Sequence, residues 1–128
     1  GDVFCVDYCR SAMTGVDCVV PRQELLRSSN GAGLTVQMVT DEQLIKLVSY
    51  IGNKLNINGC VNMEFILNNG KYYLIDINPR FSAGVAFSVL SGYDMIINHI
   101  RCFCNQSVDA QIALEEKIII KIYEEVTI

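Results

Sequence analysis

Several features that would place a chain in a familiar class are missing from this sequence of 128 residues. No apolar run reaches the ~18 residues that a membrane span needs, so we expect no membrane partner. The formal net charge is −4 and no basic stretch occurs, which argues against a nucleic-acid partner. The opening residues, GDVFCVDYC, lack the basic segment of a signal peptide. These absences predict a cytoplasmic protein, and the length suits one domain over residues 1–128.

Cysteine is plentiful, with six residues, but the spacing that builds zinc sites is absent. No C-x-x-C pair occurs, and the single histidine, His99, does not lie at zinc-ligand spacing. We therefore expect a structural or surface role for His99 rather than a catalytic one. The cysteines are interpreted as reduced, mostly buried thiols rather than as metal ligands or disulfides.

Alternation of side-chain type and turn residues predicts an α+β fold, with a central antiparallel β-sheet and helices packed on one side. Two adjoining segments within Asn62–Arg80 form a hairpin, and the stretch Lys117–Ile128 predicts a strong final strand. Three more strands are expected earlier in the chain, at residues 2–10, 16–26 and 34–39.

Three segments carry helical signals. A capping box at residues 40–43 starts a helix over residues 44–56, which Asn58-Gly59 ends. Ser82 and Asp94 are candidate N-caps of two later helices. Those helices are predicted at Val85–Leu90 and Met95–Cys104, the second with Met95, Ile96, Ile100 and Phe103 facing inward.

The hairpin NMEFILNNGKYYLIDINPR leaves two registers open. A two-residue Asn69-Gly70 loop is the commonest hairpin signal, but it would place Glu64 opposite Ile75, with the carboxylates on opposite faces. A three-residue loop over residues 68–70 instead pairs Glu64 with Leu74. That register also pairs Asn62 with Asp76 and gathers Met63, Phe65, Leu67, Tyr73, Ile75 and Ile77 on one apolar face. Because the buried face largely determines register, we favour the three-residue loop.

In the favoured register, polar side chains converge on the other face of the hairpin. Glu64 and Asp76 become diagonal neighbours, about 7 Å apart at the backbone, and Asn78 lies one step further along. Hard oxygen ligands of this kind suit Mg²⁺. Pro79 biases Asn78 towards an extended backbone, and Arg80 offers a planar fork for phosphate or carboxylate. The alternative is a solvated polar face with no ligand.

Glu64 followed by Asp76-Ile77-Asn78-Pro79-Arg80 resembles the metal-binding segment of ATP-grasp enzymes, in particular the carbamoyl-phosphate synthase large-chain type. In that family an acidic or Gln residue and a Glu-x-Asn-Pro-Arg run bind Mg²⁺ and the ATP phosphates. The resemblance implies that Glu64, Asp76 and Asn78 are metal ligands and that Arg80 is the catalytic contact to phosphate or acyl phosphate. Asp76 stands where the family usually has Glu, so its carboxylate is one methylene shorter.

The resemblance extends to the first two strands. GDVFCVDYC is similar to the family's Gly-x-Glu-Tyr-x-Val-Asp strand, and Val19-Val20-Pro21-Arg22 is similar to the strand that follows. A glycine-containing loop with Arg22 and Arg27 comes next, and both arginines are expected to contact phosphate or the second substrate. The alternative for Arg27 is a solvated hairpin loop. The match covers nearly the whole chain but only the C-terminal half of an ATP-grasp unit. It therefore implies a fragment of a larger protein, whose N-terminal lobe holds the nucleotide.

The resemblance implies that the chain is part of an ATP-dependent carboxylate–amine ligase or synthase, in which this lobe supplies metal ligands for Mg·ATP. Such an enzyme activates a carboxylate or bicarbonate as an acyl phosphate. The implied cofactors are ATP and one or two Mg²⁺, for which Mn²⁺ can substitute, and the partners are a nucleotide and a small carboxylate. The isolated fragment is expected to be inactive. The alternative is a degenerate ATP-grasp lobe that serves as a non-catalytic binding or assembly module.

Overall fold

Six β-strands form one antiparallel sheet in the computed structural model, which describes residues 1–128. The strands are β1 (Asp2–Arg10), β2 (Asp17–Arg27), β3 (Gly33–Met38), β4 (Gly59–Asn68), β5 (Lys71–Asn78) and β6 (Ile118–Ile120). They lie in the order β5-β4-β1-β2-β3-β6. Three helices flank the sheet: α1 (Glu42–Lys54), α2 (Val85–Leu90) and α3 (Met95–Phe103). The α+β antiparallel architecture predicted from the sequence is confirmed. None of the three helices is long and apolar enough to cross a membrane.

The helices cover both faces of the sheet, so the expectation that they pack on one side is wrong. Tyr8 packs in one core with Leu44 of α1, whereas the next residue, Cys9, packs in a second core with Phe87 of α2 and Met95 of α3. Successive strand residues point to opposite faces, which places α1 on one face and α2 with α3 on the other. The central strands are apolar on both faces because both are covered.

Two of the three N-caps differ from those predicted from the sequence. The N-cap of α1 is Asp41 rather than a residue of a Thr40 capping box, because the Asp41 carboxylate accepts a hydrogen bond from the Gln43 N–H at 2.9 Å. The helix ends at Lys54 with Leu55 as its C-cap, and Gly59 already belongs to β4. Asp94 caps α3 as predicted, accepting from the N–H groups of Ile96 and Ile97. The N-cap of α2 is Gly84, whereas the Ser82 hydroxyl contacts Arg22 instead.

The inward face of α3 differs from the prediction. Met95 is buried as expected, but Ile96, Ile100 and Phe103 are 45%, 49% and 62% exposed. The buried residues of this helix are Met95, Asn98 and Cys102. Asn98 faces inward because its side chain makes three hydrogen bonds, with the Asp94 carbonyl and with the backbone and side chain of Asp109.

The final strand is shorter than the predicted Lys117–Ile128. Only Ile118–Ile120 pairs with a neighbour, opposite residues 35–37 of β3. The Lys121 N–H still reaches the Leu34 carbonyl at 2.8 Å, but β3 begins at Gly33, so no strand residue remains to pair with the rest of the segment. The apolar residues Ile122, Tyr123 and Val126 are accordingly exposed.

Candidate functional site

A β-bulge sets the geometry of the β4–β5 hairpin. Asn69 and Gly70 both have positive φ, at 50° and 73°, and Asn68 pairs with Lys71, so the turn is the two-residue loop. The three-residue loop favoured from the sequence is wrong. Phe65 pairs with Leu74, yet the next residue pair is Glu64 with Asp76. Ile75 is the extra residue of the bulge, and it returns the two carboxylates to one face.

The two-residue turn also changes which aromatic residue of β5 faces the core. Tyr72 packs edge-on against Phe4 and Phe65, with ring centroids 5.3 Å and 6.5 Å away. Tyr73 and Ile75, which the sequence placed on the apolar face, are each 53% exposed. The expected face therefore holds only beyond the bulge, where Met63 pairs with Ile77.

The three predicted metal ligands meet on the face that also carries α2 and α3. Glu64 lies directly opposite Asp76, which is closer than the predicted diagonal, and Asn62 lies opposite Asn78. The Asn78 side-chain amide donates a hydrogen bond to Asp76 Oδ2 at 3.1 Å. No group of three or more His, Cys, Asp or Glu side chains is arranged to hold a metal ion. Two carboxylates and an amide oxygen fit Mg²⁺, which completes its shell with water and phosphate oxygens.

A polar cleft of about 360 Å³ opens beside Glu64. All three predicted arginines, Arg22, Arg27 and Arg80, line it, together with the loop at residues 30–33. Asp76 is not among its lining residues, so the carboxylate pair stands at the border of the cleft rather than in its centre. The cleft thus combines positive side chains with one acidic side chain, an arrangement that suits an anion accompanied by a cation.

Arg27 and Arg80 differ in how they are held. Arg27 donates to the Gly31 carbonyl through Nε at 2.9 Å and forms an ion pair with Glu64, Nη2 to Oε1, at 3.3 Å. Arg80 is exposed, and the one hydrogen bond of its side chain goes to the neighbouring Phe81 carbonyl at 3.1 Å. The Arg80 guanidinium is therefore largely available to a ligand, whereas Arg27 neutralises Glu64 in this state.

Arg22 is almost fully buried, at 2% exposure, and forms the floor of the cleft. Its guanidinium donates to Asp7 Oδ2 at 2.8 Å and to the Ser82 hydroxyl at 3.1 Å, and it lies 5.5 Å from the centre of the Phe87 ring. The Ser88 hydroxyl donates to the same Asp7 oxygen at 2.7 Å. Burial is the largest effect and acts to lower the pKa of Arg22, but the charge and hydrogen bond of Asp7, together with Cys5 and Glu24, outweigh it. The pKa of Arg22 is therefore raised and the guanidinium stays charged.

Sequence reasoning missed the residues that hold Arg22 in place. Asp7 had been noted only as part of a strand pattern, and Ser82 as a helix cap. Strand alternation places Asp7 on the same face as Cys5, whose thiol contacts Glu64 Oε1 at 3.5 Å. Burial and the neighbouring Glu24 carboxylate raise the pKa of Cys5, so the thiol stays neutral. The sequence does contain a signal for Asp7. It alternates with Cys5 on β1, and β1 pairs with β4, the strand that carries Glu64.

His99 has the structural role that the sequence indicated. Its Nδ1 accepts a hydrogen bond from the Cys60 N–H at 2.9 Å, and its ring lies 5.0 Å from the rings of both Phe81 and Phe103. All six cysteines are free, and five are buried, with Cys104 the exposed one.

Comparison with known proteins shows the family and the fold of the chain. The family model described as "ATP-grasp in the biosynthetic pathway with Ter operon" matches residues 1–126. A curated relative, the carbamoyl phosphate synthase large chain of Thermoplasma acidophilum, is 35% identical over 81 residues, which covers 62% of this chain and 7% of that protein.

Two solved structures share the fold. N5-carboxyaminoimidazole synthetase from Staphylococcus aureus, complexed with ADP, gives a TM-score of 0.74 at 16% identity, covering 95% of this chain and 34% of that one. The biotin carboxylase domain of the Hydrogenobacter thermophilus 2-oxoglutarate carboxylase, in complex with MgADP and bicarbonate, gives 0.70 at 19% identity, covering 86% and 26%. The chain thus spans a minor part of each protein. With its family match and its antiparallel sheet, the chain belongs to the ATP-grasp family.

Proposed function

We propose that this chain is the C-terminal lobe of the ATP-grasp unit of a larger, carbamoyl-phosphate synthase-like ligase. The observation that carries the proposal is the pairing of Glu64 with Asp76 across β4 and β5, with Asn78 beside them, at the edge of a cleft that three arginines line. The names of the relatives supply the reaction class, since they include a carbamoyl phosphate synthase and enzymes crystallised with ADP, magnesium and bicarbonate.

In this proposal Glu64, Asp76 and the Asn78 amide oxygen bind one or two Mg²⁺ ions, for which Mn²⁺ can substitute. When bound, the metal neutralises phosphate charge. Arg27 forms a partly exposed ion pair with Glu64, and ion pairs of this kind contribute little to stability. A divalent cation can therefore displace the guanidinium, which leaves Arg27 free to contact phosphate oxygens across the cleft.

The reaction assigned to the full protein is transfer of the ATP γ-phosphoryl group to an oxygen of a carboxylate or bicarbonate. ADP leaves, and an amine then displaces phosphate from the acyl phosphate. Arg80 is the proposed catalytic residue, because its available guanidinium can stabilise charge on the transferred group. Arg22 contributes a fixed positive charge at the cleft floor, since Asp7 and Ser82 leave it little freedom to move.

The nucleotide and a small carboxylate are the proposed partners, together with an N-terminal lobe of the parent protein that supplies the remaining phosphate and adenine contacts. The isolated lobe is then inactive. The six free cysteines accord with the reducing cytoplasm that the composition predicts.

A second candidate is a degenerate lobe that acts as a non-catalytic binding or assembly module. Two observations favour it: Asp76 is shorter than the family's usual Glu, and Glu64 is already neutralised by Arg27. The following tests separate the two candidates.

The sharper test uses the full-length protein with Asp76→Asn and Asp76→Glu. If Asp76 is a metal ligand, Asp76→Asn should abolish ADP release with candidate carboxylates, and Asp76→Glu should keep or increase it, while both keep the wild-type Tm. Asp2→Asn, an exposed residue at the start of β1, serves as the matched control. Wild-type activity in Asp76→Asn would rule out the metal role and favour the binding module.

A second test uses this chain alone. Mg²⁺ held by two carboxylates and an amide depends on phosphate oxygens, and the contacts that hold the nucleotide are assigned to the other lobe. Calorimetry should therefore detect weak binding of Mg·ATP or none. A low-micromolar Kd for this chain would contradict the assignment of nucleotide binding to the missing lobe.

A further inference from the structure

Four buried cysteines lie together beneath α3, away from the cleft. Cys9 of β1 pairs directly with Cys60 of β4 on one side and with Cys18 of β2 on the other, so their side chains share one face. Cys102 of α3 packs onto the same cluster. The proposed ligase function uses none of these thiols.

Within this cluster the sulfur atoms of one pair of cysteines are in contact. The Sγ atoms of Cys9 and Cys102 are 3.9 Å apart. Cys60 directs its thiol to α3 instead, with its Sγ 3.0 Å from the Met95 carbonyl oxygen and 3.8 Å from Met95 Sδ. Cys18 makes no sulfur–sulfur hydrogen bond. The Cys102 thiol also lies 3.3 Å from the Arg10 carbonyl oxygen, so Cys60 and Cys102 both have a backbone acceptor. The contact between the two sulfur atoms is what favours bond formation between Cys9 and Cys102.

We propose that Cys9 and Cys102 form an oxidative modification site, at which a peroxide converts the two thiols into a disulfide. Cys102 is 9% exposed and Cys9 is fully buried, so the peroxide meets Cys102 first. The Cys102 sulfur attacks one peroxide oxygen, the O–O bond breaks, and a sulfenic acid and water (or an alcohol) are produced. The Cys9 sulfur then attacks the Cys102 sulfur, the S–O bond breaks, and the departing hydroxide leaves as water with the Cys9 proton.

The surroundings of Cys9 suit its part as the second, resolving thiol. The neighbouring thiols of Cys60 and Cys102 favour its thiolate and outweigh the effect of burial, so the pKa of Cys9 is lowered. Burial raises the pKa of Cys102 to about 11, which keeps it mostly protonated near neutral pH and makes the first oxidation slow. The product would join α3 to β1 across 93 positions of sequence.

The test is prolonged treatment of the chain with excess hydrogen peroxide, alkylation of the remaining thiols, and peptide mapping without reduction. We expect loss of two hydrogens per chain, a peptide in which Cys9 is linked to Cys102, and reversal by dithiothreitol. Cys102→Ala should abolish the linked peptide, whereas Cys104→Ala, at the exposed cysteine two positions away, should retain it.

Three results would overturn the proposal. These are oxidation confined to Cys104, linkage of Cys9 to Cys60 or Cys18, and an unchanged linked peptide in Cys102→Ala. Cys9→Ser provides a second check in case Cys102→Ala does not fold, and in that variant Cys102 should accumulate as sulfenic acid that a dimedone probe traps. None of these results depends on ligase activity, so the modification site and the proposed function can fail separately.

Discussion

The sheet face that carries α2 and α3 has two contrasting ends. At one end, here called the thiol end, Cys9, Cys18, Cys60 and Cys102 pack with aromatic and aliphatic side chains under the helices. At the other, the polar end, strands β1, β2, β4 and β5 present polar side chains in the cleft and beside it. These residues are Asp7, Arg22, Asn62, Glu64, Asp76 and Asn78. Asp7 and Cys9 are one alternation apart on β1, so the change from one environment to the other takes a single step.

The difference shows how one sheet face can provide both a core and a cleft. Where helices exclude water, the side chains are apolar or thiol, and their packing contributes stability. Where the helices end, polar groups remain near water and are available to a ligand. Arg22 and Asp7 lie at the border, buried but paired, because an unpaired charge there would carry a large desolvation penalty.

The largest effect is expected from breaking that border pair. Asp7→Ala removes the closer of two carboxylates beside the buried Arg22 guanidinium and leaves Glu24, whose Oε1 is 3.7 Å from Arg22 Nε. The free energy of unfolding should fall by up to about 3–5 kcal/mol. Urea unfolding measures it. Asp2→Ala, an exposed Asp on the same strand, should change stability by no more than about 0.5 kcal/mol. Equal losses in the two variants would mean that the Asp7–Arg22 pair contributes nothing to the free energy of unfolding.

A comparable loss is expected from within the thiol end. Met95 is fully buried and Ile96 is 45% exposed, although they are neighbours on α3. Met95→Ala should cost about 2–5 kcal/mol, because it leaves a cavity, whereas Ile96→Ala should cost less than about 1 kcal/mol. Thermal unfolding of both variants checks the orientation of the helix, and a larger loss in Ile96→Ala than in Met95→Ala would contradict that orientation.

A smaller effect should appear in alkaline solution. Burial raises the pKa of Cys18 from 9.0 to about 12 in the folded chain. Its contribution to stability is present in full below pH 9 and is lost as pH rises towards 12, because the unfolded state releases this proton first. About 2 kcal/mol should be lost between pH 9 and pH 10.5. Cys18→Val should make the slope shallower by this share only, because the pKa values of Cys5, Cys60 and Cys102 are raised too. Cys104→Val, at an exposed thiol, should leave the slope unchanged.

The smallest effect on stability is expected at the polar end. Asp76 is exposed, and its one side-chain hydrogen bond comes from Asn78. Asp76→Asn should therefore change the free energy of unfolding by no more than about 0.5 kcal/mol, as measured by urea unfolding. A loss above 2 kcal/mol would show that the polar end contributes to the core and would weaken the contrast between the two ends.

Local chemistry in the sequence determined much of the fold. The alternation in residues 2–10 and 16–26, the helical spacing before Leu55 and the capping residue Asp94 all correspond to elements of the structure. Each depends on residues that are near neighbours in the chain, where propensity and turn chemistry act. The resemblance in Asp76–Arg80 is local in the same sense, and the match over residues 1–126 confirms the family to which it pointed.

The hairpin shows where that information ends. Asn69-Gly70 was the strongest turn signal and does form the turn, but the sequence carried no sign of the bulge at Ile75. The convergence of Glu64 and Asp76 was therefore expected for an incorrect reason. A bulge is selected by the packing of both strands at once, here Tyr72 on one side of Ile75 and Ile77 on the other, and a single strand pattern cannot report it.

What the sequence alone determined is thus the set of strands, most of the helices and the polar residues of one hairpin face. The tertiary structure decided which side of the sheet each helix covers, which face of α3 is buried and where β6 stops. It also brought Asp7 of β1, Arg22 of β2 and Ser88 of α2 into one buried network. These features depend on contacts between residues far apart in the chain, whose free energy depends on the whole packed arrangement rather than on any local run of residues.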